Sequence, residues 1–380
     1  MRIVYLANVD WFFVSHFLHL ARRARAEGHE VVVATHVERA EQVLREAGLT
    51  VLALPVRRGG VLPRGLTEAA RVVARELRTD PDAVLHGFGL FGIAVGALAR
   101  RMSGAGRMSG LGRNVYTITG RGYSAVAPTL RARLVRASTA GLCRRLADGP
   151  ATRWIAENDV DLDACGLTRA KSQGRTAIVG GAGIDPTRFR PTPLPPRPPL
   201  RCALVARMIW SKGIDIAVEA VERARAAGAD VELTLVGGVD PANPQSLSEA
   251  ELQALGARPG IRWLGRSEDI ASIWREHHLA VLPSRGGEGL PKSLIEAAAS
   301  ARAILTSDVP GCREFAAATH GWSVRVGDAR ALADRLIAIA GDDSLAARGL
   351  HAAEVAHAGY TEAHAWQVAA RFYDELAGLR

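Results

Sequence analysis

Apolar residues fall along the chain in short β-branched runs, separated by longer stretches where they recur every three or four positions. Residues 3–7 form the first run. A helical pattern over 14–27 follows, closed by Gly28, and residues 30–35 read as the next strand. The alternation returns at 51–54, 83–86 and 115–119. Buried runs alternating with amphipathic helices imply a parallel sheet covered on both faces. Residues 191–199 interrupt the pattern, since six of the nine are proline, and predict an extended linker. Strands then resume at 202–206, 231–236, 261–264, 279–283 and 303–306, with a helix at 213–227 and a long helical stretch at 362–379.

The expected fold is therefore α/β, with two doubly wound, Rossmann-like domains facing across a cleft lined by the carboxyl ends of both sheets. Residues 1–190 form the N-terminal domain, 191–200 the linker and 201–360 the C-terminal domain. Residues 361–380 form a last helix that packs back on the N-terminal domain. A length of 380 residues suits two cores, and 48% hydrophobic with 23% charged residues is the composition of a folded soluble protein. The longest apolar stretch, 88–99, is well short of the roughly 20 residues a spanning helix needs. The start, MRIVYLANVD, reads as a core strand rather than a secretory leader. Four scattered cysteines form no metal-ligand spacing, suit a reducing compartment and are expected as small core residues.

Charge changes this picture. Residues 1–190 carry 28 Lys+Arg against 16 Asp+Glu, whereas the remainder carries 20 against 23. A cationic first half points to a polyanionic surface or ligand. Aromatic residues at 5% and the lack of a recognisable motif speak against nucleic acid.

Candidate chemistry gathers at predicted strand ends. Gly180-Gly-Ala-Gly-Ile-Asp185 follows the run Ala177-Ile-Val179, and Gly183 there permits close backbone approach. In Val205-Ala-Arg207-Met-Ile-Trp-Ser-Lys212-Gly213, a strand ends and two cations precede a helix start, which suits a diphosphate. Glu288-Gly289-Leu290-Pro291-Lys292-Ser293-Leu294-Ile295-Glu296 follows another strand and places one carboxylate in a loop and the other in a helix. Helix-start amides lie between them. Asp308-Val-Pro-Gly311-Cys-Arg-Glu314 is a further strand-to-helix turn, with Glu314 read as structural.

These motifs, with Val236-Gly237-Gly238, Asn243-Pro244 and Gly265-Arg-Ser-Glu-Asp269, resemble glycosyltransferase family 4 of the GT-B fold. The similarity is tightest to the bacterial branch that adds amino sugars to undecaprenyl-diphosphate-linked glycans, α-1,3-N-acetylgalactosaminyltransferases among them. The resemblance implies retention of anomeric configuration, no resident cofactor and no divalent metal. The donor would be a UDP-sugar of the UDP-GalNAc or UDP-GlcNAc type. Arg207 and Lys212 would neutralise its diphosphate, Glu288 would meet the sugar, and Glu296 the ribose. Gly289, Leu290, Pro291, Lys292, Gly183, Gly237 and Gly120 would line the nucleotide. The Asp-x-Asp spacings at Asp80-Pro-Asp82 and Asp159-Val-Asp161-Leu-Asp163 read as turn and surface carboxylates.

In the first half, Asn8-Val-Asp10-Trp-Phe-Phe-Val-Ser-His16 stands where the family often carries a glycine-rich loop. Thr119, in Tyr116-Thr-Ile-Thr119-Gly120, stands where many relatives place a histidine or glutamate near the anomeric carbon. Threonine is a poor base near neutral pH, so the leaving phosphate would take the acceptor proton. His16 and His86 are the candidate acceptor contacts. Arg131, Arg133 and Arg136, interleaved with Leu130, Leu134 and Val135 and followed by Arg144 and Arg145, suit an amphipathic helix on an anionic membrane. The expected partners are thus a nucleotide sugar, a lipid-linked saccharide acceptor and an anionic membrane surface. The expected location is cytoplasmic, peripheral on the inner face of the membrane. A soluble acceptor and a non-catalytic sugar-nucleotide module are the alternatives. A dinucleotide oxidoreductase would need a glycine motif that residues 8–13 lack.

Overall fold

The computed structural model describes residues 1–56, 63–104, 112–120, 129–287 and 289–379, and only the backbone at 63, 64, 131 and 132. Two compact units emerge: Met1–Ala182 with Glu362–Arg380, and Gly183–Thr361.

The first unit holds seven parallel strands: β1 (Arg2–Val9), β2 (Glu30–His36), β3 (Thr50–Ala53), β4 (Val84–Phe88), β5 (Asn114–Ile118), β6 (Thr152–Ala156) and β7 (Thr176–Ile178). Their order is β3-β2-β1-β4-β5-β6-β7, so the winding reverses between β1 and β4. Ile3 pairs with Val31 on one side and Val84 on the other, and both neighbours run parallel to it. No glycine-rich loop separates β1 from the helix Asp10–Ala26. Instead the buried Asp10 carboxylate accepts the backbone N–H groups of Glu38, Arg39 and Ala40 at 2.6–3.0 Å and fixes the turn after β2. The helix Glu362–Ala377 belongs to this unit and buries Trp366, Phe372, Tyr373 and Leu376 in a core shared with Phe13 and Phe17.

The second unit holds β8 (Leu200–Val205), β9 (Val231–Val236), β10 (Ile261–Trp263), β11 (Leu279–Leu282), β12 (Ala303–Ser307) and β13 (Trp322–Val324). They are parallel, in the order β10-β9-β8-β11-β12-β13, with the reversal between β8 and β11.

The proline-rich stretch is extended, as its composition predicts, but it is not a free linker. Buried Arg302 donates to the Trp274 carbonyl at 2.6 Å, to the Thr192 hydroxyl and to the Pro193 carbonyl. His278 accepts from the Arg201 amide at 2.9 Å and donates to the Pro195 carbonyl at 2.9 Å. These bonds make the segment part of the second unit, so the chain divides at Ala182, ahead of the expected break at residue 190. All four cysteines are buried. No helix among the described residues is long and apolar enough to cross a membrane.

Candidate functional site

In an open parallel sheet, the loops leaving adjacent strands on either side of the winding reversal diverge and leave a crevice at the carboxyl edge. In the second unit those strands are β8, followed by Arg207 to Gly213, and β11, followed by 283–291. Backbone contacts hold the two loops together. The Arg285 amide donates to the Ser211 carbonyl at 2.8 Å, and the Ser284 hydroxyl donates to the same oxygen at 3.1 Å. The loop after β9 joins them: Met208 N–H donates to the Gly238 carbonyl at 3.2 Å and Trp210 N–H to the Gln245 carbonyl at 2.9 Å. Two glycines are required by contact as well as by conformation. A Cβ on Gly237 (φ +154°) would lie 1.7 Å from the Ala206 carbonyl oxygen, and one on Gly311 (φ +84°) 1.7 Å from that of Gly289.

The charged groups on this edge are pre-positioned. Arg207 is half exposed and pairs at 2.8 Å with the buried Asp240. Lys212 closes a short 3₁₀ turn, Trp210–Lys212, that leads into the helix Ile214–Ala226. Arg285 lies 4.3 Å from the Trp210 ring centroid and grips Asp215 through two bonds of 2.8 and 2.6 Å. Burial alone would raise the Asp215 carboxyl, but the Arg285 hydrogen bonds and charge outweigh it and hold the group below its ordinary value. Gly289, Leu290 and Pro291 run into the helix Lys292–Ala299, which no described side chain caps, and Leu290 is buried. One turn into that helix, Glu296 is pushed up to about 7 by burial, with Lys292 and Arg188 pulling the other way. Glu288 lies outside the described residues. Glu314 accepts the Gly311 N–H at 2.6 Å, the structural role expected of it.

The first unit distributes its candidates differently. His86 does not reach a surface. Both its nitrogens are taken by hydroxyls, Tyr373 Oη at 2.6 Å and Thr117 Oγ1 at 2.7 Å. Since Tyr373 donates onward to Tyr5 (3.2 Å) and Tyr5 to the Leu20 carbonyl (3.4 Å), the chain assigns the proton to Nδ1 and acceptance to Nε2. Burial lowers the imidazole to about 3, so it stays neutral. The acceptor contact expected of His86 is thereby corrected: the residue is a core polar link, beside a small interior cavity that Phe17, Thr117, Glu157 and Ala369 also line. His16 sits half-buried on the first helix, its Nδ1 2.6 Å from Ser15 Oγ and its ring against Phe12. Thr119 and Gly120 follow β5 at the carboxyl edge, where a Cβ on Gly89 would lie 3.2 Å from Thr119 Oγ1. Asp80 and Asp82 form the expected turn, and Asp159 and Asp163 share Lys171. Asp161 departs from the surface role read for it, being buried against Asn158 Nδ2 at 3.1 Å.

Residues 199–342 match the family model "Glycosyl transferases group 1", and residues 2–140 match "Glycosyl transferase 4-like". Both halves of the chain match glycosyltransferase families. Among curated relatives, WcaL of Escherichia coli K12, whose name includes colanic acid biosynthesis glycosyltransferase, is 31% identical over 187 residues, 47% of this chain and 45% of its own. The N,N'-diacetylbacillosaminyl-diphospho-undecaprenol alpha-1,3-N-acetylgalactosaminyltransferase of Campylobacter jejuni is 33% identical over 143 residues, 37% of this chain and 36% of its own. The chain thus spans less than half the length of these relatives. A solved structure from Anabaena, Alr3699/HepE in complex with UDP and glucose, superposes with a TM-score of 0.76 at 17% identity, covering 99% of this chain and 100% of that one. WaaG, a glycosyltransferase involved in lipopolysaccharide biosynthesis, superposes at 0.71 and 18% identity, covering 99% and 100%. The fold is GT-B.

Of the charged groups on this edge, the sequence reading named Arg207, Lys212 and Glu296 and did not name Asp240, Asp215, Arg285 or Arg188. Asp240 lies 33 positions from Arg207 and Asp215 lies 70 from Arg285, so no local spacing announces either pair.

Proposed function

We propose that the protein is a retaining glycosyltransferase that moves a hexose or N-acetylhexosamine from a UDP-sugar to a polyprenyl-diphosphate-linked saccharide in surface glycan assembly. The observation that carries this reading is the carboxyl edge of the second unit. The loop after β8 carries Arg207 and Lys212, and the loop after β11, held to it by backbone contacts, leads into the helix bearing Lys292 and the partly buried Glu296, on whose charge Lys292 and Arg188 act. Fixed cations neutralise charge as it develops on a leaving diphosphate. Glu296 accepts ribose hydroxyls, and Glu288, from its place in the motif, meets the donor sugar. The bond from the anomeric carbon to the phosphate oxygen breaks while the acceptor oxygen bonds the same face. The acceptor proton passes to the departing phosphate, so Thr119 need not act as a base. The lipid-linked acceptor is supported by the Campylobacter relative's name.

The test is thermal unfolding with UDP, GDP or ADP in EDTA, on wild type and Glu296→Ala. UDP at about 100-fold above its Kd should stabilise the wild type by roughly 2.7 kcal/mol. The variant should lose that gain. No shift with any nucleotide removes the donor-site assignment.

A further inference from the structure

We propose that Cys143 and Cys165 form a redox latch, a dithiol in the first unit that oxidised glutathione closes to a disulfide, fastening the outer helix Leu130–Leu142 to the core beneath it. The inference concerns the packing of this unit alone and does not depend on the transferase reading.

Cys143 opens the π-helical turn Cys143–Ala147 that ends the outer helix, and Cys165 caps the C-terminus of the helix Asp159–Ala164. The two residues share one apolar cluster with Tyr116, Trp154 and Leu162, and both are fully buried. Their thiols are hydrogen-bonded to each other, sulfur to sulfur. The backbones converge at the same place. A Cβ built on Gly166 would lie 3.9 Å from Arg144 Cδ and 4.0 Å from the Ala140 carbonyl oxygen, so the corner at 165–166 is seated against the chain on both sides of Cys143. Sulfurs in contact on converging backbones are the starting geometry of a disulfide. Cys202 and Cys312 lie instead in the core of the second unit, where the Cys202 thiol meets the Leu200 carbonyl.

The surroundings decide when the pair reacts. The Cys165 contact, and then burial, push the Cys143 thiol far above its ordinary range, so in the closed fold it stays protonated and inert. Exchange waits on local opening, and the outer helix has little to hold it shut. Every described residue from 129 to 142 keeps part of its surface in solvent, and Cys143 is the first to be buried. Once the turn lifts, Cys143 ionises and its sulfur attacks oxidised glutathione; one glutathione leaves as thiolate and takes up that proton. On reclosing, Cys165 gives up its proton and attacks the Cys143 sulfur, expelling the second glutathione, which takes the proton. Two protein thiols are oxidised to one disulfide while one glutathione disulfide is reduced to two thiols. The bridge places an apolar group in an apolar cluster and constrains the unfolded chain.

The experiment treats the full chain with oxidised glutathione without denaturant, quenches it in acid, then denatures and alkylates it. Mass spectrometry should count four free thiols before treatment and two after it, and peptide mapping should join Cys143 to Cys165. Dithiothreitol should restore all four. Cys165→Ala should stop at the first step, with one glutathione held on Cys143. The oxidised wild type should melt at a higher temperature than the reduced chain, a difference that dithiothreitol removes. Four thiols persisting after treatment, a link through Cys202 or Cys312 or between two chains, or a disulfide that lowers the thermal midpoint overturns the proposal.

Discussion

The Glu296 carboxyl titrates near 7 in the folded protein because burial disfavours its charge, against 4.5 for an ordinary glutamate. Between those values the native state holds a proton that the unfolded chain releases. The contribution of Glu296 to stability is therefore fully present below about pH 4.5 and is lost as pH rises through 7, at about 1.4 kcal/mol per pH step. Glu296→Gln should unfold with the wild type at about pH 4.5 and at a higher temperature at about pH 8, while its nucleotide binding weakens. Wild-type binding should itself fall below pH 7, as the carboxylate proposed to accept ribose hydroxyls is protonated. Melting curves and UDP titrations across this range decide it, and a Gln variant less stable than wild type at pH 8 contradicts the assignment. Position 296 could be singled out from sequence because its spacing from Glu288 spans a helix start. Its raised ionisation could not, because that comes from burial in the folded unit, which Lys292 and Arg188, the latter 108 positions away, only partly oppose.

At the scale of elements, the loops at the carboxyl edge of the second sheet act as one piece. Arg285 links them: its guanidinium holds Asp215 and the Trp210 carbonyl (2.8 Å), and its amide holds Ser211. Asp215 is largely exposed, so the pair adds little to global stability, but it ties the start of the helix that follows the Trp210–Lys212 turn to Arg285 in the loop after β11. Asp215→Ala should weaken UDP binding roughly tenfold, the worth of one charge-assisted hydrogen bond, with a thermal midpoint close to wild type. Calorimetric titration reads both limbs, and an unchanged Kd shows that the pair does not position the site. Alternating pattern revealed most of these elements, since strands buried on both faces must be apolar. It failed at β6, where Thr152 and Arg153 are buried. Arg153 is accommodated by Glu375 at 2.7 Å, a partner 222 residues away that no local window contains. It also failed at β13, a three-residue edge strand too short to show a period.

For the molecule as a whole, the sequence announced two sheets but placed the division by composition, at the prolines, because residue type cannot show that Arg302 and His278 bind that segment to the second unit. The actual division makes the first unit discontinuous. The second unit is inserted between Ala182 and Glu362, and its two ends lie side by side, Ile184 N–H donating to the Tyr360 carbonyl at 3.0 Å and bridging to Thr361. The returning helix supplies Trp366, Phe372 and Tyr373 to the first core, where Tyr373 is the acceptor for buried His86. Each such side chain is worth about 1.5–3 kcal/mol on burial, a sum comparable with the whole stability of a domain. Residues 1–182 alone should therefore not unfold cooperatively, whereas the same residues joined through a short glycine–serine bridge to 362–380 should. Residues 183–361, with a complete six-stranded sheet, should fold alone. Thermal melts of the three fragments followed by circular dichroism test this, and a cooperative transition in 1–182 would show that the helix is an accessory rather than part of the core.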